Sequence, residues 1–206
     1  YLQSVSGDYN AIARDAGAAV ANAEQAGRRP EEGDLLRLAD AQQRLNNHSA
    51  YGATLEKLLF NYPKKDYWNA YLGRLPRKAN FSDRFALDVL RLRLASGTLN
   101  RSDEFMEMAQ LALQARLPAE SLHIIDLAYK SGAFGKGEEA ARQQRLKDLA
   151  LKREAEQKAA IAGQASEAMN EKSGDELVNV GYAYVTMGQV DKGVGLSRAI
   201  SFVTAN

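Results

Sequence analysis

The stretch that decides the fold is Leu177-Val178-Asn179-Val180-Gly181-Tyr182-Ala183-Tyr184. Leu177, Val180 and Tyr184 recur at i, i+3 and i+7, so they lie on one face of a helix. Gly181 belongs to the same face, where the missing side chain lets the backbone of a second helix approach closely. The stretch therefore predicts a helix that packs tightly against a neighbour.

The residues around this helix supply its ends and its partner. Ser173, followed by Gly174, Asp175 and Glu176, is typical of an N-cap with an acidic first turn. Gly188 is placed to end the helix, because glycine readily adopts the left-handed conformation that follows a helix. The next helix turns Gly193 and Ile200 toward the seam. We therefore expect an antiparallel pair of helices here.

Helical periodicity extends over the chain, and no segment alternates apolar and polar residues as a strand does. Four prolines interrupt the 206 residues, and each falls where a predicted helix ends or begins. The pattern predicts an all-α fold of eleven helices over residues 8–26, 33–46, 49–61, 66–75, 82–96, 102–115, 119–131, 137–159, 161–171, 174–187 and 190–203. Ser102 with Asp103 and Glu104 is expected to cap the sixth.

The apolar pattern of the decisive stretch returns earlier in the chain. Equivalent places are held by Leu35, Trp68, Phe105 and Leu177, at successive intervals of 33, 37 and 72 residues. The last interval is about twice the others, so a further copy is expected inside it, with apolar residues Leu146, Leu149, Ala150, Ala162 and Met169. A helix pair that recurs at a fixed period indicates a solenoid.

This pattern resembles the tetratricopeptide repeat, whose first helix reads W/L-x2-L-G/A-x2-Y within a repeat of about 34 residues. The copy at Leu177–Tyr184 matches closely, and the earlier copies match less regularly. The resemblance covers nearly the whole chain and implies a right-handed superhelix of antiparallel helix pairs in a single domain, residues 1–206. A generic helical bundle, or another solenoid of helix pairs, is the alternative.

In this family the first helices line a concave groove, so the resemblance implies which residues face a partner. They are Leu36, Asp40, Gln43, Arg44, Asn69, Met106, Gln110, Gln114, Asp175, Val178, Tyr182 and Thr186, with Asp66, Gly73 and Leu113 beside them. This mixed polar surface suits an extended peptide, whose backbone needs hydrogen bonds. The Lys and Asn of the family's carboxylate clamp are missing from these places, so binding of chaperone C-terminal tails is unsupported.

Residues 137–172 differ from the rest in charge. Eleven of the 21 residues from Glu138 to Lys158 are charged, and pairs at i, i+4 such as Glu154–Lys158 support a helix. The segment predicts a long, solvent-exposed helix, with a projecting arm that contacts a partner as the alternative. Residues 132–137, rich in glycine, would be the flexible base of such an arm.

Both ends of the predicted solenoid are open. Residues 8–26 resemble a second helix without its first, and no polar cap follows the apolar residues Val194, Ile200, Phe202 and Val203. Solenoids need polar terminal caps. We therefore expect that the chain, which begins at Tyr1 without a methionine, is a fragment or a processed product. It should continue past Asn206 or be covered by another chain, for which a homo-oligomer is one arrangement.

Composition argues against several classes of function. With 27 basic and 26 acidic residues the net charge is +1, which provides no electrostatic footprint for nucleic acid or anionic lipid. There is no cysteine, so disulfides and thiolate metal sites are excluded. No apolar run approaches the roughly 18 residues that a membrane span needs, so we expect no membrane insertion.

The sequence predicts no catalytic, cofactor or metal site, and therefore no enzyme. His48 and His123 lie in a turn and near the start of a helix, without partners at metal-ligand spacing. Gly135-Lys136-Gly137 resembles a phosphate loop only in part, because the earlier glycine, the Ser or Thr after the lysine and the preceding strand are all missing.

The function that the resemblance favours is a protein–protein interaction scaffold with a peptide or protein in its groove. A helical accessory domain of a cell-wall-active enzyme, or a self-assembling structural subunit, are the alternatives. Leu58–Lys65 and Leu177–Gly188 also resemble stretches of exported tetratricopeptide proteins of Gram-negative bacteria. This likeness implies a periplasmic or otherwise exported setting, with the cytoplasm as the alternative.

Overall fold

A computed structural model describes residues 8–78 and 80–203, apart from the side chains of 200–203. These residues form ten α-helices and two 3-10 turns, and no β-strand occurs among them. The all-α prediction is confirmed for this part of the chain. The chain divides into two compact units, Tyr1–Thr98 and Leu99–Asn206, and each is described by itself. The right-handed superhelix and the single domain over 1–206 stay predictions.

The first unit contains five helices that pack in chain order. They are α1 (Tyr9–Gln25), α2 (Glu32–Arg44), α3 (His48–Asn61), α4 (Lys65–Leu72) and α5 (Ala86–Ala95). Two 3-10 turns, Leu75–Arg77 and Asp83–Phe85, connect α4 to α5. The predicted helices 66–75 and 82–96 are shorter than expected. The first ends at Leu72, before the 3-10 turn that contains Pro76, and the second begins only after the 3-10 turn Asp83–Phe85.

The first three helices share one apolar core. Its fully buried centre is Leu35 of α2 and Leu58 of α3, and Val20 of α1 packs beside them. Burying each such side chain contributes about 1.5–3 kcal/mol. The Tyr62 hydroxyl donates to the Pro30 carbonyl at 2.8 Å, a contact between residues 32 apart. The turn between α1 and α2 therefore lies beside the end of α3, at close to the predicted repeat spacing.

A second tie joins the start of α2 to α4. The Tyr67 hydroxyl donates to the Glu32 carboxylate, and Lys64 donates to the same carboxylate at 2.9 Å. Burial, and then the hydrogen bond to Glu32, raises the pKa of Tyr67 to about 12. Hydrogen bonds from Lys64 and Tyr67 lower the pKa of Glu32. Because Tyr67 packs against the core of the unit, the pair joins the start of α2 to α4 beside that core.

The second unit contains the remaining five helices. They are α6 (Ser102–Gln114), α7 (Pro118–Lys130), α8 (Ala140–Asn170), α9 (Gly174–Thr186) and α10 (Val190–Val203). Consecutive helices pack against each other from α6 to α10, and α8 also contacts α6. The predicted N-cap at Ser102 is wrong by one residue, because α6 begins at Ser102 itself. The Glu104 carboxylate instead accepts from the backbone N–H of Arg101 at 3.2 Å.

The helices α9 and α10 approach closely at two glycines, as the decisive stretch predicts. A Cβ added to Gly193 would lie 2.5 Å from the Gly181 carbonyl oxygen and 2.6 Å from Val185 Cγ2. No side chain fits there, so the predicted contact through Gly181 is confirmed. The predicted cap is also present, since Ser173 Oγ accepts from the N–H of Glu176 at 3.4 Å. The side chain of Ile200 lies outside the described residues.

The same packing register recurs in earlier helix pairs. In α9, residues at i, i+3, i+4 and i+7 from Leu177 are buried, and Ala183 is buried beside them. In α6 the same spacing holds for the buried residues Phe105, Met108, Ala109 and Ala112, and Met106 is buried as well. In α2 it begins with Leu35, Leu38 and Ala39. At the place that Gly193 holds in α10, α7 has Ser121, whose hydroxyl donates to the Ala109 carbonyl at 2.9 Å.

The charged segment corrects the predicted topology. Residues 137–159 and 161–171 were expected to form two helices, but α8 is one helix of 31 residues. The turns after α2, α6 and α9 each use a residue with positive φ, namely Asn46, Arg116 and Gly188, and no residue of α8 has one. Gly163 alone costs a helix only about 1 kcal/mol, which is too little to make a turn.

The extra repeat expected within this segment is absent beyond its first half. Leu146 and Ala150 are buried as predicted, but Leu149, Ala162 and Met169 are exposed. The later buried positions are Ile161 and Ala168 instead. This difference follows from the missing turn, because a continuing helix presents a different set of residues to α9 than a returning helix would.

The glycine-rich turn before α8 is anchored, and so is not the flexible base that the projecting-arm alternative would need. Phe134 is buried and meets the rings of Phe105 and Tyr129 edge to face at centroid distances of 6.4 and 5.6 Å. The side chain of Gln143, fully buried, accepts from the N–H of Gly135 at 2.8 Å and donates to Ser102 Oγ at 3.1 Å.

Further along, α8 is tied to the helices beside it. Lys147 pairs with Asp126 of α7 at 3.0 Å, and Gln157 donates to the carbonyl of Arg116 at 2.8 Å. Residues 151–160 between the buried ends are almost entirely exposed. The predicted solvent-exposed helix is therefore present over this stretch, and its flanks belong to the core of the unit.

Candidate partner-binding surface

The twelve residues predicted to line a groove fall in both units. Five lie in the first unit, on α2 and α4: Leu36, Asp40, Gln43, Arg44 and Asn69. Seven lie in the second unit, on α6 and α9: Met106, Gln110, Gln114, Asp175, Val178, Tyr182 and Thr186. Each set is therefore considered within its own unit.

The set on α2 is exposed but largely engaged with itself. Asp40 and Arg44 form an ion pair with an N–O distance of 3.0 Å, one turn apart. The Arg44 guanidinium also lies 5.0 Å from the centroid of the Tyr9 ring. The hydrogen bond to Asp40 raises the pKa of Arg44. Leu36 is exposed one turn before Asp40, so this face offers a single apolar residue beside a paired charge.

The set on α6 offers little surface. Met106 is only 6% exposed and belongs to the core. Gln110 is half-buried, and Gln114 at the end of the helix is exposed. The predicted groove residues of α6 therefore present a polar edge, with only the half-buried Leu113 as an apolar neighbour.

The set on α9 is different, because apolar side chains cover both sides of this helix. Val178 is 51% exposed and Tyr182 is 42% exposed, on the side away from buried Leu177. Val185, at i+7 from Val178, is 38% exposed and extends the same line. We call Val178, Tyr182 and Val185 the α9 stripe. Its third member was not predicted, although the i, i+4, i+7 spacing could have revealed it.

A second feature, also not predicted, is a cavity of about 670 Å³ in the first unit. Its walls are the last turn of α1, the turn after it and one side of α3, and they include Glu24, Arg28, Lys57 and Phe60. Phe60 is 88% exposed, more than any other large hydrophobic side chain in the described residues. The signal in the sequence is the run Leu58-Leu59-Phe60, since three consecutive residues of a helix cannot all face the same core.

The described residues contain no group of three or more His, Asp or Glu side chains arranged to hold a metal ion. His48 and His123 are both exposed. Over the same part of the chain, none of the helices is both long enough and apolar enough to pass through a bilayer. Comparison with known proteins finds no family whose model matches the chain and no significantly similar curated protein.

Proposed function

We propose that this chain is a protein-interaction module, and that the α9 stripe is where a protein or peptide partner binds. The observation that carries the proposal is the line Val178, Tyr182 and Val185, three apolar side chains exposed along one helix. Exposed apolar side chains that lie together cost free energy in water and mark binding surfaces more often than scattered ones do. Tyrosine is also among the residues that contribute most to binding at interfaces.

The recurring register of the helix pairs supports a tetratricopeptide-like arrangement as the framework of this surface. In such an arrangement the α9 stripe belongs to the inner wall, where an extended peptide or a helix of the partner would lie. Asp175, one turn before Val178, would supply a charge at one end of the bound segment. A peptide or protein partner therefore fits the stripe better than a small-molecule substrate does.

The test is a Val178→Asp variant. Val178 is 51% exposed, so we expect the melting temperature to change little, whereas binding through the stripe would be lost. Val185 is left unaltered, because its Cγ2 lies at the crossing with Gly193. Leu151→Asp is the matched control, because this side chain of α8 in the same unit is 48% exposed. Crosslinking in extracts of the source cells, followed by quantitative mass spectrometry, should give partners that the stripe variant loses and the control keeps.

Purified candidates would then be titrated against both variants. A stripe variant that keeps every partner would contradict the proposal. The alternative is that the stripe binds a second copy of this chain, and sedimentation velocity tests it. Concentration-dependent oligomers that the stripe variant abolishes would show that the stripe serves self-assembly and not a different partner.

A further inference from the structure

The cavity of the first unit lies beside an unusual aromatic side chain. The buried side of α3 is formed by Leu55 and Leu58, and Phe60, two positions after Leu58, faces away from them. At 88% exposed, its ring makes almost no contact within the protein. A phenylalanine ring this exposed to solvent can gain apolar contacts only from a ligand or a partner that binds beside it.

The charged groups of the cavity are satisfied except for one. Glu24 of α1 pairs with Lys57 of α3 at 2.7 Å, and Glu56 accepts from the Tyr71 hydroxyl at 2.7 Å. Arg29 donates to the carbonyl of Asn61 and lies over the ring of Tyr62. Both carboxylates of the lining are therefore already engaged, and so are two of its three cations.

Arg28 is the remaining cation, and its guanidinium has no hydrogen bond or ion pair to any described residue, whereas its backbone N–H donates to the Ala23 carbonyl at 2.8 Å. It is exposed and lines the same cavity as Phe60. A guanidinium with all its donors available suits a carboxylate, which it can bind through two parallel hydrogen bonds. The charge that complements this cavity is therefore negative, and the ring beside it calls for an apolar group.

We propose that this cavity binds a short segment of a partner protein that carries an aromatic side chain next to a carboxylate. The ring would pack on Phe60, and the carboxylate would pair with Arg28. A volume of about 670 Å³ lies within the range of ligand pockets and accommodates two or three side chains. The proposal does not rest on the α9 stripe, which lies in the other unit and has no cation among its members.

Three pentapeptides, each acetylated at the N-terminus and amidated at the C-terminus, serve as probes. Three of their five residues are glycine, and the other two differ between the probes. One carries phenylalanine and glutamate, the second phenylalanine and lysine, and the third alanine and glutamate. We expect the first to give saturable amide shifts at Gly27 and Asn61 in a nitrogen–proton NMR titration of the full chain. The affinity of so small a probe should be on the order of millimolar, and each of the other two should bind at least about fivefold more weakly.

Variants then assign the contacts. Phe60→Ala and Arg28→Glu should each weaken the first probe at least about fivefold, and Arg28→Glu should gain affinity for the lysine probe. Phe85→Ala and Lys65→Glu are matched controls, since both residues are exposed in the same unit outside the cavity lining. They should leave the affinities unchanged. Melting temperatures close to that of the unaltered chain are expected, because all four side chains are exposed.

Three results would overturn the proposal. The first is no saturable shift at Gly27 and Asn61 up to the solubility limit of the probes. The second is equal affinity for the glutamate and lysine probes, which would remove Arg28 from the contact. The third is a Phe60→Ala variant that binds as the unaltered chain does. A stripe variant that loses its partners while the cavity still binds the glutamate probe would separate the two sites.

Discussion

The α6–α7 pair and the α9–α10 pair cross at the same two positions but fill the crossing differently. Between α6 and α7, the Ser121 hydroxyl donates to the carbonyl of Ala109 at 2.9 Å. Between α9 and α10, Gly193 lies against Gly181, and a single added carbon would be only 2.5 Å from its carbonyl oxygen. The interval of twelve residues is shared, whereas the separation of the backbones is set by the side chains at the crossing.

The α2–α3 pair extends the comparison. Twelve residues after Ala39 comes Tyr51, which packs against the core of the first unit and has the Arg74 guanidinium 4.5 Å from its ring centroid. Glycine, serine and tyrosine thus occupy one structural position in three helix pairs. The twelve-residue spacing is therefore kept in these pairs although the residue types at the crossing change. This explains why the earlier copies match the repeat pattern less regularly in sequence.

The largest effects are expected where the two pairs are most alike. Phe105→Ala in α6 and Leu177→Ala in α9 remove the equivalent buried anchors, so each should lower the free energy of unfolding of its unit by about 2–5 kcal/mol. Urea titration followed by circular dichroism measures both. Leu36→Ala, on the exposed side of α2, should change it by no more than about 0.5 kcal/mol. An anchor variant that resembles this control would show that the shared register is not an energetic one.

A smaller effect is expected at the polar crossing. Ser121→Ala removes the hydroxyl donor to the Ala109 carbonyl, which keeps its acceptor role within α6, so unfolding should become about 0.5–1.5 kcal/mol easier. Ser166→Ala is the control, because its exposed hydroxyl bonds only to a carbonyl of its own helix, at 3.2 Å. The urea midpoints of unfolding are measured for the two variants. Equal midpoints would mean that the hydrogen bond between α6 and α7 contributes nothing to the free energy of unfolding.

The smallest effects concern how the two first helices end. Both α6 and α9 are followed by a residue with positive φ, Arg116 at 62° and Gly188 at 79°. Gly188→Ala should therefore destabilise by about 1 kcal/mol, and Arg116→Gly should stabilise by up to about 1 kcal/mol. Differential scanning calorimetry would register the pair as shifts of the melting temperature in opposite directions. Shifts of the same sign would refute this account of the turns.

The sequence predicted best what depends on local geometry. Gly181 and Gly193 predict a close crossing. Glycine destabilises the middle of a helix, so a glycine in each of two adjacent helices indicates that their backbones must approach closely. Ser173 announces a helix start for a similarly local reason. Such signals need no knowledge of the rest of the chain, and the structure contains both features.

The prediction from the sequence was wrong where it placed a turn that no turn residue supports. A repeat was expected within 137–172 because the spacing of Phe105 and Leu177 left room for one, yet no turn residue stood between its two halves. The projecting-arm alternative would have needed residues 132–137 as a flexible base, whereas the buried ring of Phe134 anchors this segment in the core.

For the candidate site, the apolar members on α9 could be predicted, because the face of a helix follows from its period. The burial of Met106 could not, since it depends on what packs over α6. The cavity beside Phe60 depends on the approach of α1 to α3, where Lys57 donates to Glu24, a residue 33 positions earlier in the chain. Surfaces formed by such long-range contacts cannot be predicted from the residue pattern of each helix alone.

The most direct test of the shared register compares two glycines of α10. Replacing either by alanine favours the helix by about 1 kcal/mol, but Gly195 has open space around it, whereas Gly193 lies against the backbone of Gly181. Urea unfolding should therefore show Gly195→Ala to be more stable than the unaltered chain and Gly193→Ala to be less stable, by about 1–3 kcal/mol. Two variants of equal stability would contradict the crossing on which the fold is built.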